Sequence, residues 1–125
     1  NVPILEPPGG HAVYVNAKKF LPHIKAQGYP AQALACELYR TAGIRGVEIG
    51  SLMFGKKENG TFVPARMELL RLAMPRRVYT QSHIDFVIEV FADIAKRAKK
   101  IRPLRLLESS PALAHFTARL APAAR

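Results

Sequence analysis

Met67-Glu68-Leu69-Leu70-Arg71-Leu72-Ala73-Met74 sets one guanidinium in the middle of an apolar, extended-looking run. Side chains alternate between the two sides of a strand, so Met67, Leu69, Arg71 and Ala73 share one face and Glu68, Leu70, Leu72 and Met74 the other. Both faces are mostly apolar, and neither is expected to be freely solvated. Towards the amino terminus, Lys56-Lys57-Glu58-Asn59-Gly60 reads as a polar turn with an Asn-Gly tip. Ile44 to Gly50 reads as a strand, with a bulge at Gly46 reconciling its mixed faces. Pro30 stands at a first helical position and Gly43 just past a last one, which predicts a helix over 31–42. Asn16 can cap a short helix to about Ile24. His11 to Val15 is apolar and β-branched enough for a strand, and Pro7-Pro8-Gly9-Gly10 before it is a turn or linker.

Towards the carboxyl terminus, a helix is expected over about 82–100. Ser82 followed by Asp85 resembles a capping box, and Ile84, Val87, Ile88, Phe91, Ile94, Ala95 and Ala98 keep helical spacing. Past Pro103, 104–107 and 114–120 read as two short strands. The order β-α-α-β-β-α-β-β lacks regular alternation and argues for one α+β domain over 1–125. Helices would pack on one face of a largely antiparallel sheet.

Composition narrows the function classes. Hydrophobic residues make up 49% and charged residues 22% of the 125, which fits a globular domain with a real core. No apolar run is long enough to span a bilayer. The opening Asn1-Val2-Pro3-Ile4 lacks the pattern of a secretory signal and reads as the middle of a longer chain. The lone Cys36 cannot form an internal disulfide. With apolar neighbours and no adjacent base or cation, it reads as a small core hydrophobe. The net charge of +10 raises nucleic acid as a partner. No nucleic-acid motif accompanies it, and the densest basic group (Lys96, Arg97, Lys99, Lys100, Arg102, Arg105) sits at a helix end, where cations meet the dipole favourably. A solvated surface, or one covered by a missing part of the protein, accounts for it; neither nucleic acid nor membrane is expected as a partner.

Arg71 is the candidate with chemistry. Burying it alone would be expensive, so it needs an anion. Either Glu48 or Glu68 provides a structural pair, or a ligand carboxylate takes the two parallel hydrogen bonds its fork offers. His11, His23, His83 and His115 show no i, i+4 metal spacing, and there is no Cys-x-x-Cys; no metal ligand is assigned. No phosphate loop and no catalytic triad can be read from the spacing.

Several runs together resemble the tryptophanase and tyrosine phenol-lyase family of β-eliminating lyases: Pro-Pro-Gly-Gly-His-Ala-Val at 7–13, Gly-Ile-Arg-Gly-Val-Glu-Ile-Gly-Ser at 43–51, Arg-Leu-Ala-Met-Pro-Arg-Arg-Val-Tyr-Thr-Gln-Ser-His at 71–83, and His-Phe-Thr-Ala-Arg-Leu at 115–120. The resemblance covers the family's carboxyl-terminal part and implies the small domain of an aspartate-aminotransferase-like, fold type I enzyme. It implies that Arg71 binds the α-carboxylate of an amino-acid substrate. It implies an apolar wall at Ile49, where the tyrosine enzymes have arginine, with Val47 adding to it. It also implies a histidine near the substrate ring at His115, where those enzymes have phenylalanine, as an orienting or proton-transfer group. Both positions favour tryptophan over tyrosine, hence α,β-elimination to indole, pyruvate and ammonia, with pyridoxal 5'-phosphate as electron sink.

The family's Schiff-base lysine lies in a Ser-x-Lys-Lys-Asp run that this chain lacks. Lys56-Lys57 is not equivalent, and no cofactor-binding residue is assigned here. The large domain is the implied partner, with cofactor and K+ ligands upstream, and the complete enzyme is expected to be a cytoplasmic homotetramer. The chain alone is expected to be inactive.

Overall fold

The computed structural model describes residues 1–110 and 113–124. The apolar segment supplies the middle strand of a three-stranded sheet. There, β5 (Leu69–Ala73) lies between β1 (Ala12–Asn16) and β2 (Val47–Ile49), antiparallel to both. Leu70 pairs with Val15 and Glu48, and Leu72 with Val13; Arg71 pairs with Tyr14 and Val47, and Leu69 with Asn16 and Ile49. Directly paired residues share a face. One face therefore carries Val15, Leu70 and Leu72 into the main core, and the other carries Tyr14, Val47, Ile49 and Arg71.

The helices at 17–20, 30–42 and 81–96 cover the first face. α1 (Ala17–Phe20) is capped by Asn16, whose Oδ1 accepts the Lys19 N–H at 3.0 Å. α2 (Pro30–Ala42) opens on proline and closes at Gly43, in the left-handed region at φ 67°. A one-turn α3 (Ser51–Phe54) follows β2, and α4 (Gln81–Lys96) follows β5. Phe20, Leu21, Leu34, Leu38, Phe91 and Ile94 pack with Leu70 and Leu72 as one cluster. Helices on one face of an antiparallel sheet, in an α+β arrangement, are what the sequence predicts.

The structure corrects several details. The strands form three separate sheets, not one. β3 (Lys56–Glu58) and β4 (Thr61–Val63) make a hairpin around Asn59-Gly60, and β6 (Leu104–Glu108) pairs with β7 (Arg119–Pro122). Gly46 is not a bulge but precedes the strand. A Cβ there would meet Leu70 Cδ1 at 2.6 Å, so glycine lets this backbone lie against a fully buried leucine.

The cap of α4 is Thr80, with His83 in the third position; the Thr80 N–H donates to His83 Nδ1 at 3.1 Å. Asp85, the expected partner of Ser82, instead accepts from Gln81 Nε2 at 2.8 Å. The core stripe of α4 runs through Val90, and Ile88 and Ala95 face outward. The strand expected over 114–120 begins only at Arg119, in β7. α5 (Ala114–Thr117) forms instead, and Thr117 Oγ1 bonds to Leu113 O (3.3 Å) and to the Ser110 N–H (3.2 Å). Such local bonding by threonine competes with strand pairing. Among the described residues no helix is long and apolar enough to cross a membrane.

Candidate functional site

Arg71 lies mid-strand, half-buried between Tyr14 and Val47. Among the described residues it makes no ion pair and no side-chain hydrogen bond. The two glutamates that sequence alone offers as its partners are committed elsewhere. Glu48 is paired with Leu70 on the opposite face, and Glu68 is in the Leu70 phase of the strand, so neither carboxylate is directed to the Arg71 side. A guanidinium flanked by apolar side chains and unsatisfied within its own unit is suited to an external carboxylate. Ile49 and Val47 lie on the same face, Val47 directly opposite Arg71 and Ile49 one pair along, opposite Leu69. Arg71, Val47 and Ile49 are thus brought together.

His115 is not part of that group. It lies in α5, half-buried and stacked at 4.1 Å on the exposed ring of Phe116; α5 packs near α3 rather than within the sheet. His83 is tied up in the cap of α4, and His23 Nε2 donates to Ile101 O at 2.9 Å. Cys36 is exposed rather than in the core. Its sulfur is still crowded enough that desolvation pushes the thiol pKa up, with a smaller push from Glu37 and against a hydrogen bond from Gln32. That favours the neutral thiol over a nucleophile. Every lysine is exposed. A hollow of about 430 Å³ between Ile44, Met74, Tyr79 and Val87 has none of Arg71, Val47, Ile49 or His115 in its wall.

Behind the Arg71 face sits a cluster that the sequence reading passed over. Glu48 accepts the N–H groups of Leu52 (3.0 Å) and Met53 (3.1 Å), while Glu68 Oε1 accepts from the Ser51 N–H (3.1 Å) and from Ser51 Oγ. Ser51 Oγ in turn accepts the Ala65 N–H at 3.0 Å. Both carboxylates are almost fully buried, and Glu68 Oε2 has no partner. Burial raises the pKa of each; for Glu48 the nearby Glu68 adds to it, and the backbone donors oppose it. The available signal was two glutamates in the core phase of apolar strands, flanking a Gly-Ser.

Comparison with known proteins bears on the whole chain. A tryptophanase of Salinibacter ruber is 58% identical over 123 residues, covering 98% of this chain and 26% of the relative. One of Hyphomonas neptunium is 54% identical over 117 residues, covering 94% and 26%. A third, of Haemophilus influenzae, is 51% identical over 118 residues, covering 94% and 25%. Over nearly its whole length the chain is similar to tryptophanases. It spans about a quarter of the length of the curated relatives it matches. No protein-family model matches the chain. The chain forms a small α+β unit whose outer sheet face presents one arginine, unpaired among the described residues, beside two branched aliphatic residues.

Proposed function

We propose that residues 1–125 are the carboxyl-terminal small domain of a fold type I, pyridoxal-phosphate-dependent lyase that converts L-tryptophan to indole, pyruvate and ammonia. The observation that carries this reading is Arg71, without a side-chain partner among the described residues and on one sheet face with Val47 and Ile49, in a sequence similar to tryptophanases. In it, Arg71 grips the substrate α-carboxylate with two parallel hydrogen bonds. Ile49 and Val47 give an apolar wall, which suits an indole ring and offers nothing to a phenol hydroxyl. His115 orients the ring or moves a proton at it once the rest of the enzyme closes over α5.

The cofactor does not fit on these residues. A Schiff-base lysine needs to be held and desolvated, and every lysine here is exposed. The large domain of the same protein would hold the cofactor and any K+, and tryptophan would bind between the two domains. The complete assembly, a cytoplasmic homotetramer in this reading, is the active species.

The test is Arg71→Ala in the complete protein. Tryptophan turnover, followed as indole release, should fall by more than tenfold, since truncating one partner of a buried hydrogen-bonded charge pair costs about 2–5 kcal/mol. Cofactor absorbance should stay intact, because Arg71 holds substrate. Unchanged kinetics would remove Arg71 from the site, and phenol release from tyrosine at a comparable rate would remove the tryptophan assignment.

A further inference from the structure

We propose that Glu68 holds a proton on Oε2 and donates it to Glu48 Oε1, and that this shared proton locks β2, with Val47 and Ile49, against β5, with Arg71. Glu68 Oε2 is buried and without a partner. A Cβ placed on Gly50 would overlap both Glu68 Oε2 and Glu48 Oε1, so the two oxygens border one small space. Two anions so placed cannot both stay ionised without a cation between them. Among the described residues no lysine, arginine or histidine pairs with either carboxylate, so a proton is the counter-charge that these residues can supply.

The hydrogen bonds decide which carboxylate carries it. Both Glu48 oxygens accept backbone N–H groups, which favour the anion, whereas only Oε1 of Glu68 is engaged. The surrounding charges are few. Lys18 of α1 acts on Glu68 from an exposed position, where solvent weakens it. Tyr29 at the head of α2 feels both carboxylates and has its own pKa pushed up, first by burial and then by them.

The consequence for the Arg71 face is geometric. Glu48 lies between Val47 and Ile49, so fixing its carboxylate fixes the two side chains that flank it on the opposite face. Glu68 immediately precedes the strand that carries Arg71. Glu68 is therefore a positioning residue, and its effect on turnover rests on the function proposed above.

The experiment is infrared spectroscopy of the complete protein and of Glu68→Gln near pH 7.5, with tryptophan kinetics for Glu68→Gln and Glu68→Ala. The wild type should show the carbonyl stretch of a protonated carboxylic acid, shifted in D2O and missing from Glu68→Gln. An ordinary glutamate, with a pKa of about 4.3, would be fully ionised there. Glutamine keeps a donor at the same place and should leave KM within about threefold. Alanine should raise KM roughly tenfold or more, as small displacements of a substrate-positioning group do.

No acid band, a band that persists in Glu68→Gln, or equal kinetics in the two variants would overturn the proposal. If Glu68→Gln does not fold, the wild-type band alone decides: it must persist above roughly pH 6, beyond the ordinary glutamate range. An acid band in a protein without lyase activity would instead sink the proposed function and leave the proton pair standing.

Discussion

Arg71 and its neighbours show how alternation along a strand turns residue type into chemistry. The leucines at 70 and 72 pass into the core, and the arginine between them must emerge on the other side. A lysine there would keep the charge and lose the fork. Arg71→Lys in the complete protein is therefore expected to raise the KM for tryptophan at least tenfold, with folding unchanged, as steady-state kinetics beside thermal melts would show. The oddity of Arg71 was legible in sequence; its lack of a local partner was not. Glu48 and Glu68 are close in sequence terms but stand on the wrong face or are already bonded to the turn at Ser51. His115 was legible only through resemblance, since nothing in its spacing distinguishes it from the other three histidines.

Between elements, the junction of α2 with α4 is an ion-pair network around Glu37, which is nearly buried on α2. Arg40 from the same helix bonds to it at 2.9 Å, and Arg97, just past α4, reaches it and Thr41. Arg40 is largely exposed and screened, so Arg97 carries more of the attraction. Burial works to raise the Glu37 pKa, but the two guanidiniums outweigh it and hold it below the ordinary 4.5. A carboxyl depressed by folding stabilises above its unfolded pKa and loses that contribution as pH falls through the folded value.

Glu37→Gln should cost about 1–3 kcal/mol at pH 7. The gap to wild type should close on acidification below about pH 4.5, measured by urea unfolding across a pH series. Gly46→Ala tests the meeting of β2 with β5. Its methyl runs into a buried Leu70 that cannot give way, so a loss of about 1–3 kcal/mol is expected in the same assay. Element boundaries with a local cause, at Asn16, Pro30 and Gly43, were readable in sequence. The cap of α4 and the turn at 114–117 depend on which of several nearby polar side chains wins a backbone N–H or C=O, and alternation or periodicity carries no record of that.

At the scale of the whole molecule, the net charge of +10 does not gather into one functional stripe. Lys18, Lys56 and Arg119 belong to different elements and Arg97 lies just past α4, and Arg97 and Arg119 are paired with acids. Titration with duplex DNA at two salt concentrations should show no saturable binding at about 1 µM protein near physiological salt. Tight, salt-dependent binding would mark a nucleic-acid partner. The exposed apolar residues are more concentrated: Val78, Tyr79, Phe86 and Ile88 stand around the start of α4.

The sequence by itself determined the type of most helices and strands, the apolar faces of α2 and β5, and the resemblance to a family, because each is written in local spacing or in ordered runs of identical residues. Only tertiary structure decided that Val47, Ile49 and Arg71 share a face, that Arg71 has no carboxylate partner among the described residues, and that Glu48 and Glu68 both approach Gly50. Those outcomes depend on strand order and register, which bring together residues twenty or more positions apart.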